Sequence, residues 1–443
     1  SEMCIRDRFS IALTWLAAMS MHAGTYTFKI VHPEEGAKLK LTWCASNEIM
    51  DVDVVNGVVT VKKDGFTPQY VQVRYGKSFS RNLYLESDKD LTVDYDTESR
   101  VFNCTGDLAS VNNYLLKTRF AFLGFNDFGK DEAAFIKSND SVYEANLALL
   151  KKAGLPAKFT KKEQEHLKLQ SYSKFPLYKS YYPYIHKLES FVPSAAYYTK
   201  LKELAVMDGS LFEYPEYGEF ITNSILCQVF KGGDRKQEFM NFMDAHVADA
   251  QVKSYVTNAY LYGVVSGSGL DGNDEVIAYF HKNVTDAKNI EKFDNMCKQW
   301  ETLRAGNPSP SFNCPDINGK MVSLESLKGK YIYIDVWATW CGPCRGELPY
   351  MTKLEEAYVG KDIYFVGLSC DQNKQAWEKR IQKGDMKGIQ LHMGNKDEFM
   401  KKYLINGIPR FILLDREGKI IKADAPRPSS PETSKLIDEL LKK

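Results

Sequence analysis

The stretch Trp340-Cys341-Gly342-Pro343-Cys344 constrains this chain more than any other. Before it, Tyr331–Trp337 is a near-continuous apolar run, as expected of a strand buried on both faces at the centre of a sheet. After it the apolar spacing takes a helical period that runs to about Tyr358. Two cysteines at a strand-to-helix junction suit dithiol chemistry. A thiol must ionise to attack a disulfide, and a helix N-terminus offers the thiolate partial positive charge and unpaired N–H groups. Two intervening residues let the second sulfur reach the first, so a mixed disulfide is resolved within the molecule. Cys341 is therefore expected as the exposed attacker and Cys344, one turn into the helix, as the resolver, with Trp340, Gly342 and Pro343 bordering the substrate. A zinc site would need four ligands, whereas this region offers one Cys-x-x-Cys and a distant His392. A structural disulfide would leave the junction and its flanking Trp337 and Trp340 unexplained. No metal is expected, and no cofactor beyond a redox-active Cys341–Cys344 disulfide.

The surrounding pattern is α/β. Ile363–Ser369 reads as a second buried strand, Lys374–Gly384 and Asp397–Tyr403 as helices, Phe411–Leu414 and Lys419–Lys422 as a hairpin about Arg416-Glu417-Gly418, and Glu432–Leu441 as a closing helix. Asp335 lies mid-strand among apolar residues. Burial would raise its pKa toward a useful proton-acceptor range, the alternative being a carboxyl hydrogen-bonded at a sheet edge. Glu347 follows Cys344 by three residues and is either a second proton-handling group or a solvated helix-face charge. Ile408-Pro409 immediately precedes the strand at Phe411. Beside a dithiol, the backbone of Ile408 would pair with an extended substrate segment, and Pro409 has no N–H to compete.

Residues 306–443 resemble the TlpA/ResA-like thiol–disulfide oxidoreductases of the thioredoxin superfamily. The matching stretches are Leu327-Lys328-Gly329-Lys330, Ile334 through Arg345, Glu347-Leu348-Pro349 and Gly407-Ile408-Pro409. The resemblance implies a thioredoxin fold, Cys341 as nucleophile, Cys344 as resolver and Pro409 as a cis-proline. It sets Asp335 at the buried acidic position of thioredoxins and Glu347 at the active-site glutamate of ResA-like members. Arg410 departs from the pattern, since a small hydroxyl residue is common after that proline. The segment between Cys344 and Pro409 is longer than in minimal thioredoxins, which fits an extra element in the exported members.

The 443 residues are too many for one ordinary core. Arg6 and Arg8 precede an apolar run, Phe9 to Ala23, which predicts a cleavable export signal over 1–23 and hence a periplasmic protein. Residues 24–107 show short alternating strands (Thr25–Ile30, Lys38–Trp43, Ile49–Val54, Val58–Val61, Tyr70–Arg74, Asn82–Leu85, Leu91–Tyr95, Arg100–Cys104), the pattern of an all-β, sandwich-like domain. It looks like the modules that precede such oxidoreductases in Gram-negative bacteria. Residues 108–305 predict an all-α region with helices over Val142–Ala153, Lys161–Lys179, Ala195–Ala205, Glu219–Phe230, Lys236–Ala248 and Asn289–Leu303. Its tyrosines 172, 178, 181, 182 and 184 are expected as packing. Ala305–Pro310 reads as a linker. Cys44 with Cys104 and Cys227 with Cys297 are candidate disulfides in an oxidising compartment, buried free thiols being the alternative.

A net charge of +1, with 58 basic and 57 acidic residues interspersed, gives no electrostatic case for nucleic acid or an anionic membrane, so the membrane enters only through export. The expected partners are protein or peptide disulfides and an upstream dithiol donor, with the reducing direction favoured by Gly342-Pro343. Two alternatives remain. A thiol peroxidase of the same fold would want Thr three residues before its cysteine, whereas Thr339 stands two before Cys341. A binding protein would hold its partner on the first 300 or so residues, with the dithiol as an accessory.

Overall fold

The computed structural model describes residues 23–230, 232–394 and 398–442. Apart from Ala23, the expected export signal lies outside them. The chain forms two compact units, divided between 231 and 232.

The first unit opens with the expected strands: β1 Gly24–Val31, β2 Lys38–Trp43, β3 Glu48–Asp53, β4 Val58–Lys63, β5 Gln69–Tyr75, β6 Phe79–Leu85, β7 Leu91–Asp96 and β8 Phe102–Thr105. Alternation decides their faces, as in β1, where Tyr26, Phe28 and Ile30 are buried. The strands make two four-stranded sheets, ordered β4-β1-β7-β8 and β3-β2-β5-β6. Asn56 and Gly57 both take positive φ (52° and 74°), the backbone of a tight two-residue turn closed by Val55 and Val58, but the turn carries the chain from β3 in one sheet to β4 in the other and does not pair the two strands. Six helices follow: α1 Ala109–Lys117, α2 Glu132–Lys152, α3 Ala157–Tyr172, α4 Tyr178–His186, α5 Ala195–Leu204 and α6 Tyr217–Val229. The single helix expected over Lys161–Lys179 is broken, because Pro176 imposes a 3₁₀ turn over Phe175–Leu177 between α3 and α4. Tyr172 and Tyr178 are buried packing, but Tyr184 is exposed.

The second unit begins with four more helices, α7 Arg235–His246, α8 Ala250–Ser268, α9 Asp274–Asn283 and α10 Ala287–Glu301. They group with the C-terminal sheet rather than with the preceding helices. The stretch expected as a linker is bonded into that sheet's edge: Gly306 N donates to Ile420 O (2.8 Å) and Ile420 N to Asn307 O (2.9 Å). A small hairpin, β9 Asn313–Pro315 with β10 Met321–Ser323, precedes a five-stranded sheet. Its strands are β11 Tyr331–Trp337, β12 Ile363–Ser369, β13 Ile389–His392, β14 Arg410–Leu414 and β15 Ile420–Lys422, in the order β13-β12-β11-β14-β15. Between and after them run α11 Gly342–Ala357, α12 Lys374–Ile381, α13 Glu398–Lys402 and α14 Pro431–Leu441. β11 pairs parallel to β12 and antiparallel to β14, and every residue of β11 is buried. Tyr333, Phe365, Phe411 and Leu413 meet Met351 of α11 and Ile437 of α14 in one core cluster. Trp337, Ala338, Cys341, Cys344 and Trp377 form another.

The suggested pairings of Cys44 with Cys104 and Cys227 with Cys297 do not form; all four are free thiols. Cys104 belongs to β8 in one sheet, while Cys44 follows β2 in the other. Burial pushes both thiols up to about 12. Among the described residues no helix is long and apolar enough to cross a membrane.

Candidate active site

β11 ends at Trp337, and Ala338-Thr339-Trp340 carry the chain to Cys341, the N-cap of α11. The N-terminal end of a helix leaves backbone N–H groups unpaired, and here one turns onto sulfur: Cys344 N donates to Cys341 Sγ at 3.1 Å. Pro343, at the start of the helix, costs no hydrogen bond there. Cys341 and Cys344 are joined as a disulfide, with Cα atoms 5.3 Å apart. The expectation of an exposed Cys341 needs correction, because it is only 4% exposed. Neighbouring Trp340, 68% exposed, is what projects into solvent.

The Ile408–Pro409 bond is cis, and Cys341 Sγ lies 3.7 Å from the Ile408 carbonyl oxygen. Trp340, Cys341, Gly342 and Pro343 on one side and Asn406, Gly407 and Ile408 on the other line a cavity of about 750 Å³. Among the described residues Met400, Ile405, Cys370, Gln372 and Gly394 also line it, and none of these side chains is charged. Pro409 is outside the lining, next to Ile408.

Asp335 is buried at the middle of β11, opposite Gly367 of β12 and Phe411 of β14. It is not at a sheet edge. Burial, and then the carboxylates of Glu347 and Glu355, push its pKa up to about 8. Its Oδ1 has no hydrogen-bond partner among the described residues. Glu347 is not a solvated charge: it is buried in α11 and accepts from Ser429 N and Ser429 Oγ, both at 3.0 Å, with Arg427 Nη1 at 3.7 Å.

Sequence reasoning missed Asp371. It is 1% exposed and grips the approach to the dithiol, accepting from Thr339 N (3.0 Å), Thr339 Oγ1 (2.7 Å) and Ser369 Oγ (2.8 Å). Its own carbonyl lies 2.8 Å from His392 Nε2. The signal available was an acidic residue just past the end of a buried strand that neighbours the dithiol strand. Cys370, also missed as a site residue, lines the cavity with its thiol pushed up by burial and by Asp371.

Comparisons with known proteins single out the same stretch of chain. The Redoxin family model matches residues 304–440. The chain is 30% identical over 143 residues to "Thiol-disulfide oxidoreductase ResA" of Bacillus thuringiensis subsp. konkukian, a stretch covering 32% of this chain and 80% of that protein. The chain belongs to the ResA-like thiol–disulfide oxidoreductases. It is 28% identical to ResA of Bacillus subtilis over 122 residues, 28% of this chain and 68% of that one. Among solved structures, the thioredoxin domain of a Bacteroides vulgatus thiol-disulfide oxidoreductase is 30% identical, covering 31% of this chain and 99% of that one with a TM-score of 0.30. The membership rests on the C-terminal third. Residues 24–303 lie outside the matched family region.

Proposed function

We propose that this protein is an exported, periplasmic dithiol–disulfide exchanger working as a reductase of protein or peptide disulfides. The observation that carries the reading is Cys341 Sγ held at the start of α11 by Cys344 N and facing the Ile408 carbonyl beside a cavity whose described lining is uncharged. In the reduced form the Cys341 thiolate attacks one sulfur of the substrate disulfide. One S–S bond breaks, a mixed disulfide forms, and the first substrate thiolate leaves. Cys344 gives its proton to the Asp335 carboxylate and attacks Cys341 Sγ. The second substrate thiolate leaves, and the Cys341–Cys344 disulfide closes, two electrons having passed to the substrate. An upstream dithiol donor returns them. The disulfide itself is the only redox centre this cycle uses.

In this reading Asp335 is the proton acceptor, because a carboxyl titrating near 8 releases and accepts protons in the range where thiols ionise. Glu347 raises that value through its own charge and is fixed by Ser429. Trp340, Gly342, Pro343 and Ile408 border an extended substrate segment, with Pro409 setting the turn behind it. Residues 24–107 form a sandwich-like module ahead of the exchanger, and residues 1–23 direct export.

The reduction potential of the Cys341–Cys344 couple, measured by equilibration with a dithiol of known potential, tests the direction. A value near thioredoxin's, about −270 mV, is expected. A value near about −120 mV would make the protein an oxidant and overturn the reductase reading.

A further inference from the structure

The loop that borders the cavity, Leu404 to Arg410, is held from outside the region that matches the oxidoreductase family. Asn406, a cavity-lining residue, donates from Nδ2 to Ser266 Oγ of α8 at 3.2 Å. Four residues further on, Arg410 opens β14 opposite Val336, one position before Trp337 on the dithiol strand. It is 6% exposed and is not among the residues lining the cavity. The guanidinium lies 5.9 Å from the ring centroid of Trp300 in α10, and Nη1 is 3.5 Å from Asp424 Oδ1. Nη1 has no hydrogen-bond partner among the described residues. A buried cation with incomplete hydrogen bonding costs stability, here offset only by Asp424 and the Trp300 ring among the described residues.

Trp300 is itself fixed. It is 3% exposed and packs on Gly269, just past the end of α8, where a Cβ would come within 2.9 Å of the indole. Gly269 also takes φ of 78°, which suits glycine and ends the helix. Trp300 therefore spans from the end of α8 to Arg410, while Ser266 holds Asn406 three residues earlier on α8. Two contacts, one at each end of 406–410, fix this loop to the same pair of helices.

We infer that α8 and α10 are a specificity-determining element of the exchanger: through Ser266–Asn406 and Trp300–Arg410 they set how the loop carrying Ile408 meets an extended peptide at Cys341. This rests on the reading of the cavity as the peptide site. Ser266, Trp300 and Arg410 are positioning residues, since none of them lines the cavity. A peptide that pairs with the Ile408 backbone needs the loop in register. A small disulfide that touches only sulfur does not.

The test compares full-length wild type, Ser266→Ala, Arg410→Lys and Trp300→Phe on two oxidised substrates, insulin and hydroxyethyl disulfide. Ser266→Ala is a partly exposed, single-atom change that leaves the fold intact. Arg410→Lys keeps a positive charge beside Asp424 but replaces the planar guanidinium over Trp300 by a compact, more strongly hydrated ammonium. Trp300→Phe keeps a ring face and serves as the conservative control. For Ser266→Ala and Arg410→Lys, kcat/KM on insulin falls about fivefold through KM, the size of one hydrogen bond worth about 1 kcal/mol. Their rate on hydroxyethyl disulfide and their reduction potential stay at wild-type values, and Trp300→Phe retains most of the insulin rate. Parallel losses on both substrates, or no loss in Ser266→Ala and Arg410→Lys, would overturn the inference while leaving the exchanger reading standing. A wild type inactive on both substrates would overturn the two together.

Discussion

Replacing Asp335 by Asn tests the electrostatics of the site most directly. Asn matches the protonated carboxyl in shape and removes its titration. Folding raises the Asp335 pKa from 3.8 to about 8, chiefly by burial. Between those values the native chain holds a proton that the unfolded chain has lost, so stability falls as pH rises. The contribution is fully present below pH 3.8 and gone above about 8. From pH 5 to pH 8 the window is about three units. At 1.36 kcal/mol per unit that is about 4 kcal/mol at most, and of order 2–4 kcal/mol once relaxation around the carboxylate is allowed for. Urea unfolding of the oxidised unit, residues 232–443, at pH 5 and pH 8.5 measures it. Wild type should lose this amount across the interval and Asp335→Asn less than about 1 kcal/mol. Equal losses in the two proteins would show that Asp335 ionises like a surface carboxylate, and its role as proton acceptor would fall with it.

Limiting iodoacetamide on the reduced protein near neutral pH should label Cys341 first, as peptide mapping would show; first labelling of Cys344 or Cys370 would reverse the attacker assignment. Glu347→Ala should cost about 1–3 kcal/mol in thermal or urea unfolding, because Ser429 N and Oγ both lose their acceptor. Asp371→Ala should slow exchange on every disulfide, large or small, since it frees Thr339 ahead of Cys341; stopped-flow rates equal to wild type would sink that role. Residues 306–443 alone should exchange disulfides but melt below residues 232–443, by calorimetry, because Arg410 and Asn406 lose Trp300 and Ser266.

Much of the site was legible because it is local. Trp340 to Cys344 carries the strand end, the cap and both sulfurs within a few residues, and β11 announces itself by seven consecutive buried positions. Ile408 was named from its neighbours in sequence, and its carbonyl oxygen lies 3.7 Å from Cys341 Sγ. Asp371 was not visible, since its meaning comes from Thr339, 32 residues away. α8 was missed because its Ser, Thr, Tyr and Gly content gives weak helix propensity; the Asp249 cap, bonded to Gln251 N and Val252 N, starts it instead. β13 has only four residues, Ile389 to His392, too short an alternation to stand out. Arg410 could be flagged as a departure from its family, but only the packing of Trp300 gives the departure a purpose.

The position of β1 has a kinetic consequence. It is an internal strand, hydrogen-bonded to β4 on one side and running parallel to β7 on the other. Thr25 N donates to Asp90 Oδ1 across 65 residues of chain. Closing so long a loop is entropically slow, and parallel pairing rewards it only once the distant strand arrives. The first sheet therefore cannot be completed while β7 is still being synthesised. A chain emerging N-terminus first can pair β1 with β4 by about residue 63 but leaves the β7 side of β1 open until about residue 96, a window in which that edge is available to other chains.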